Sequence, residues 1–136
     1  MLFSTLTLKV FLDHRPREEV SRLVSAKTNG ATPLILSCRN GHHDVVRTLL
    51  SKGAAVDAED ENSCTPLMFA AMGNHPHSVK ELLAHGANIT RENIAGQTAL
   101  SLAVRERATL AQTVLENHVA SLLQTLVGRQ ATEISD

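Results

Sequence analysis

Thr32-Pro33-Leu34, Thr65-Pro66-Leu67 and Thr98-Ala99-Leu100 recur at a constant step of 33 residues. Other positions keep the step: Val46 with Val79, Leu49-Leu50 with Leu82-Leu83, and Gly53-Ala54 with Gly86-Ala87. Each triplet opens a short apolar run. The threonine is placed to cap a helix and the proline to occupy its first turn. A second apolar run follows, separated from the first by a break: Asn40-Gly41 in one copy and Gly73-Asn74-His75 in the next. The pattern predicts repeated helix-turn-helix units joined by turns.

A period of this length opening on T-P-L resembles the ankyrin repeat over roughly residues 27–123. The resemblance implies an all-α solenoid of about three helix-turn-helix repeats, with a partial N-terminal repeat and a long C-terminal capping helix. Composition suits a stack of thin layers. Of 136 residues 43% are hydrophobic, yet there is no Trp or Tyr and only three Phe. Repeats that pack only on their neighbours need no large side chains at their centre.

Residues 1–136 read as one domain. Residues 1–26 hold a partial repeat and an extra helix. The repeats are 27–57, 58–90 and 91–127, and 128–136 is a tail. In 4–13, Leu6, Leu8, Val10, Phe11 and Leu12 favour a helix. Pro16 starts another, with Glu18 and Glu19 in its first turn and Val20, Leu23 and Val24 on one face. Ser63 replaces the usual turn glycine, so that turn is expected to be less regular. In the third repeat Ala99 replaces proline and Arg107 stands at the inter-helix glycine. A long helix is expected from about Thr109, apolar at Val114, Leu115, Val119, Leu122, Leu123, Leu126 and Val127. Its polar side is Gln112, Glu116, Asn117 and Gln124. Gly128 should end it, leaving Ala131–Asp136 frayed.

The stretch PREEVSRLVSAKTNGATPL, running into CRNGHHDVV, is similar to the amino-terminal region of the feminization (Fem) family, over about residues 16–50. That resemblance implies an ankyrin-repeat substrate receptor of a cullin-RING ubiquitin ligase. In that family an extra helix lies between the first two repeats, where Pro16 to Ser25 would sit. The family begins with a complete helix pair, whereas this chain starts inside the pair. The family's long later array and cullin-docking segment have no counterpart here. On this reading Leu6, Leu8, Phe11 and Leu12 are incompletely covered, with Leu2 and Phe3 folding back over them.

A formal net charge of −1 gives no bulk attraction to nucleic acid or to an anionic membrane surface. Cys38 and Cys64 form no disulfide framework and suit a reducing compartment, cytoplasmic or nuclear. No secretory signal or apolar run of membrane-spanning length is present. Seven histidines lack zinc-ligand spacing: no CxxC occurs, and no pair of His brackets a Glu one helical turn apart. His42, His75 and His85 read as structural, and Cys38 as a small core residue. No nucleophile elbow or phosphate loop is present, so neither enzyme activity nor a cofactor is expected.

The chemistry left is binding. Positions that escape the core in the three aligned copies are Thr28, Asn29, Ala31, Arg39 and Asn40; Asp60, Glu61, Asn62, Cys64 and Met72; and Ile94, Ala95, Gln97, Arg105 and Glu106. Arg39, Asn40, Asp60, Glu61, Asn62, Met72, Gln97 and Arg105 are the candidate contacts for a protein or peptide ligand in a concave groove. Glu59-Asp60-Glu61 is an acidic tip, either a solvated turn or a patch for a basic peptide. Two alternatives accompany this module reading. One is a truncated isoform or fragment of the ligase receptor. The other is a structural or oligomerising role through Leu122, Leu123, Leu126 and Val127. The module itself is expected to be a monomer or to self-associate weakly through incompletely capped ends.

Overall fold

The computed structural model describes residues 5–134. Eight helices follow one another among these residues: α1 Thr5–Asp13, α2 Arg17–Ser25, α3 Pro33–Asn40, α4 His43–Ser51, α5 Pro66–Met72, α6 Pro76–Ala84, α7 Ala99–Arg105 and α8 Thr109–Ile134. Among the described residues there is no strand, and an isolated β-bridge joins Thr28 and Ala31. Helices α3, α5 and α7 pack side by side as an inner layer, while α1, α4, α6 and α8 form the outer one. This is the expected all-α solenoid.

Local chemistry sets the boundaries. The hydroxyl oxygens of Thr32, Thr65 and Thr98 accept hydrogen bonds from the backbone N–H of Ile35, Met68 and Ser101. Each satisfies a helix-end donor that would otherwise lack a partner. Inner helices approach closely because their facing column is small: Ser37, Ala70 and Ala103 are all buried. Leu34, Ile35, Leu67, Met68 and Leu82 are fully enclosed around it. Side chains tie one repeat to the next. Arg47 donates to Glu81 at 2.8 Å, and the Asp57 carboxylate accepts from the Asn88 N–H at 3.0 Å. The Asn74 side-chain oxygen accepts from the Ala111 N–H at the start of α8, also at 3.0 Å.

Two positions here depart from expectation. Ser63 does not loosen its turn. Its φ of +61° matches Gly30 (+81°) and Gly96 (+73°), because Asp60 holds the turn closed through two hydrogen bonds. Helix α8 does not stop at Gly128 but runs on to Ile134. A helix-interior glycine costs only about 1 kcal/mol relative to alanine, and no proline follows it. Beyond the stack the helix is bare: every residue from Ser121 to Gly128 is exposed, including Leu122, Leu123, Leu126 and Val127.

At the amino-terminal end α1 lies against α4, and α2 touches α3. Val20 and Val24 are buried, but Leu23 is exposed. Leu12 is covered, contrary to expectation, whereas Leu6 is 70% exposed and Phe11 43%. Lys52 forms an ion pair with Asp13, joining α4 to α1 and holding the Asp13 carboxyl below its ordinary pKa. Leu2 and Phe3 lie outside the described residues.

Leu49 and Leu82 fill equivalent outer-helix positions and are 3% and 0% exposed. Leu49→Ala and Leu82→Ala should each lower the unfolding free energy by about 2–5 kcal/mol in urea titrations, since both remove enclosed methyl groups. Arg107 holds φ +55° at the position of Gly41, whose φ is +75°. A left-handed non-glycine residue costs about 1–2 kcal/mol, and glycine returns about 0.4–1 kcal/mol of that to unfolded-chain freedom. Arg107→Gly should therefore raise stability by about 0.5–1 kcal/mol, seen as a higher urea midpoint at unchanged slope.

Candidate functional site

Turn tips and the ends of the inner helices bring the candidate residues together in two rows. The tips adjoin one another: the Ile94 N–H donates to the Asn62 carbonyl at 3.0 Å, and Lys27 donates to the Glu59 carbonyl at 3.2 Å. Glu61 lies across Gly30, where a Cβ would stand 2.9 Å from its Cγ. The other row is Arg39 and Asn40 ending α3, Met72 ending α5 and Arg105 ending α7. An inner helix of seven or eight residues separates the rows by about 10–12 Å.

Not every candidate is free to bind. Asp60 Oδ1 accepts from the N–H groups of Asn62 and Cys64, both at 2.9 Å. Gln97 is held likewise in its own turn. Its N–H donates to Asn93 Oδ1, and its Oε1 accepts from Asn93 Nδ2, each at 3.0 Å. These two side chains build turns. Glu59 pairs with Arg91 at 3.4 Å. Of the acidic tip only Glu61 therefore remains uncommitted, and the run is not a three-carboxylate patch. Ala31, grouped with the positions that escape packing, is 5% exposed and belongs to the interior.

The helix-end row gains a residue that the repeat alignment passes over. The Arg39 guanidinium carbon sits 4.9 Å from the centroid of the Phe69 ring, close enough for cation–π attraction. Phe69 precedes Met72 by three residues and so shares its helix face. Behind them, His75 Nε2 lies 3.2 Å from the Arg39 carbonyl, to which it donates, and the ring fills the space beside Gly41 and Gly73. Histidine here is architecture, as expected. His85 Nδ1 likewise donates to the Glu81 carbonyl at 2.9 Å, at the end of α6. Among the described residues no three His, Cys, Asp or Glu side chains converge as metal ligands. A cleft of about 620 Å³ lies elsewhere, between α1, α2 and the end of α4. No helix among the described residues is long and apolar enough to cross a membrane.

A bilayer of helix pairs in 33-residue register, with turns set out along one edge, defines a repeat scaffold for protein–protein interaction. The chain belongs to the ankyrin-repeat family: a model of three ankyrin-repeat copies matches residues 55–125, and a single-repeat model matches 29–61. Among curated proteins it is similar to a fem-1 homolog of Drosophila melanogaster, with 58% identity over 45 residues, 33% of this chain and 7% of that protein. A fem-1 homolog C of Homo sapiens is 50% identical over 48 residues, 35% of this chain and 8% of the relative. A fem-1 homolog A of Rattus norvegicus is 43% identical over 54 residues, 39% of this chain and 8% of the relative. The matched stretch thus spans less than a tenth of each relative's length.

Burial pushes the Cys38 thiol up to about 12, and burial also raises Cys64, which keeps partial access. At pH 7.5 iodoacetamide should label Cys64 slowly and Cys38 only after unfolding, because the thiolate is the reactive form. Comparable rates at the two sites would show that α3 and α5 are not closely packed. The sign of the linkage follows. An unfolded thiol ionises near 9 and the folded one near 12. The unfolded state therefore releases its proton first, and stability falls as pH rises above 9.

Proposed function

We propose that this chain is a non-catalytic binding module that holds a peptide segment of a partner protein along the groove between its turn tips and inner-helix ends. We further propose that the module serves substrate recognition in a cullin-RING ubiquitin ligase. The observation that carries the binding reading is the row Arg39–Phe69–Met72–Arg105. Arg39, Met72 and Arg105 share a repeat position outside the core, Phe69 is half-buried beside them, and together they combine charge with apolar surface. Support for the ligase role comes from the similarity to fem-1 homologs alone. Of the eight candidates, Arg39, Asn40, Glu61, Asn62, Met72 and Arg105 are the proposed contacts, while Asp60 and Gln97 shape the turns that present them.

Affinity capture from cells with the wild-type chain, the groove variant Met72→Glu and the outer-helix variant Lys80→Glu tests both parts. Partners bound by the wild type should be lost by at least about tenfold with Met72→Glu and kept with Lys80→Glu, as expected for truncation of a central contact. Equal retention by both variants would place binding outside the groove. The abundance of the captured partners should rise when cullin ligases are inhibited. Unchanged abundance would remove the ligase role and leave the binding module.

A further inference from the structure

Arg39 and Arg105 occupy the same repeat position, two repeats apart, with Met72 at that position between them. Both arginines are exposed, and Met72 is half-buried. Arg15 pairs with Glu19, Arg47 with Glu81 and Arg91 with Glu59, whereas Arg17, Arg22 and Arg107 are exposed without such a pair among the described residues. Among the described residues neither Arg39 nor Arg105 has a carboxylate within ion-pair distance. Arg39 instead stacks over Phe69. Stacking uses the face of a guanidinium and leaves its N–H edge free to donate. The opposite edge of the groove carries Glu61, so charge runs from negative at the tips to positive at the helix ends.

We infer that the helix-end row receives an acidic, extended segment of the partner protein, an inference that rests on the groove reading above. One carboxylate meets Arg39, an apolar side chain covers Phe69 and Met72, and a second carboxylate meets Arg105. The register follows from packing distances. Neighbouring packed helices lie roughly 8–10 Å apart, so Arg39 and Arg105 are separated by roughly 16–20 Å. A polyproline II segment advances about 9 Å per turn of three residues and presents every third side chain to the same side. One turn of such a peptide therefore spans one repeat. The ligand pattern is acidic-x-x-apolar-x-x-acidic. Arginine suits the two ends because its fork can take a carboxylate through two parallel hydrogen bonds.

A displayed library of random 12-residue peptides, panned against the immobilised chain, reads the inference directly. The enriched peptides should carry that pattern. By fluorescence anisotropy, a fluorescein-labelled enriched peptide should bind about 10- to 100-fold more weakly to Arg39→Gln and to Arg105→Gln, each of which removes a charged donor. Arg39→Lys and Arg105→Lys, which keep the charge but lose the fork, should fall between wild type and glutamine. Arg22→Gln on α2 should bind as wild type does. All these positions are exposed, and unchanged urea midpoints would confirm intact folding. Enrichment of neutral or basic peptides that are lost on Met72→Glu would overturn the acidic-ligand inference and leave the groove reading standing. No enrichment, or peptides indifferent to Met72→Glu, would overturn both.

Discussion

Close contact between successive inner helices is the constraint on which the structure depends. It requires a column of small side chains, and Ser37, Ala70 and Ala103 supply it. With that column in place, one leucine row and one row of small residues suffice to exclude water, and no aromatic residue is needed at the centre. The same constraint sets the 33-residue step. A helix pair and its turn must return the chain to an identical position on the preceding pair. Once it does, side chains 31–37 residues apart in sequence become neighbours, as with Arg47 and Glu81 or Asn74 and Ala111. Stability then accumulates between adjacent layers rather than in a shared centre.

That constraint also separates what was legible in the sequence from what was not. The bounds of α3, α5 and α7 follow from Thr-Pro or Thr-Ala at one end and the helix-break residues at the other, because capping is local chemistry. The burial of Cys38, Leu49 and Leu82 follows from period alone. Site residues were harder to sort. Asp60 and Glu61 are adjacent, acidic and equally solvent-like in sequence, yet one closes a turn and the other lies over Gly30. Their roles depend on the backbone at Ser63, whose left-handed conformation nothing in its side chain demands. The stacking of Arg39 on Phe69 joins two repeats, so inspecting one repeat could not reveal it. The course of α8 past Gly128 misled for the converse reason: glycine ends helices often, but only when something else competes for the chain.

Charge is distributed over the scaffold in a way that packing does not require. Outer-face cations such as Arg47 and Lys52 hold neighbouring layers together through carboxylates on the next helix. Those at the inner-helix ends hold nothing of the sort. Both Arg39 and Arg105 lie in the last turn of their helices, where a cation suits the helix dipole. That benefit is a few tenths of a kcal/mol to about 1 kcal/mol, and lysine would supply it equally. It does not account for the aromatic ring beneath Arg39 or for the methionine standing between the two arginines.

The three inter-helix positions show how the stack tolerates departures from its own pattern. Gly41, Asn74 and Arg107 all adopt positive φ, at +75°, +58° and +55°. Glycine at the first meets a steric demand as well, since a Cβ there would stand 2.6 Å from the His75 ring. Asparagine tolerates the left-handed region, and its side-chain oxygen accepts the Ala111 N–H, so the departure becomes a tie to the last layer. Arginine has neither compensation. Its conformation is imposed by α7 and α8, which must still fold back on each other as the earlier pairs do. The geometry of the layer therefore overrides local preference where the two conflict, and the conflict is left at the rim, where Arg107 is exposed.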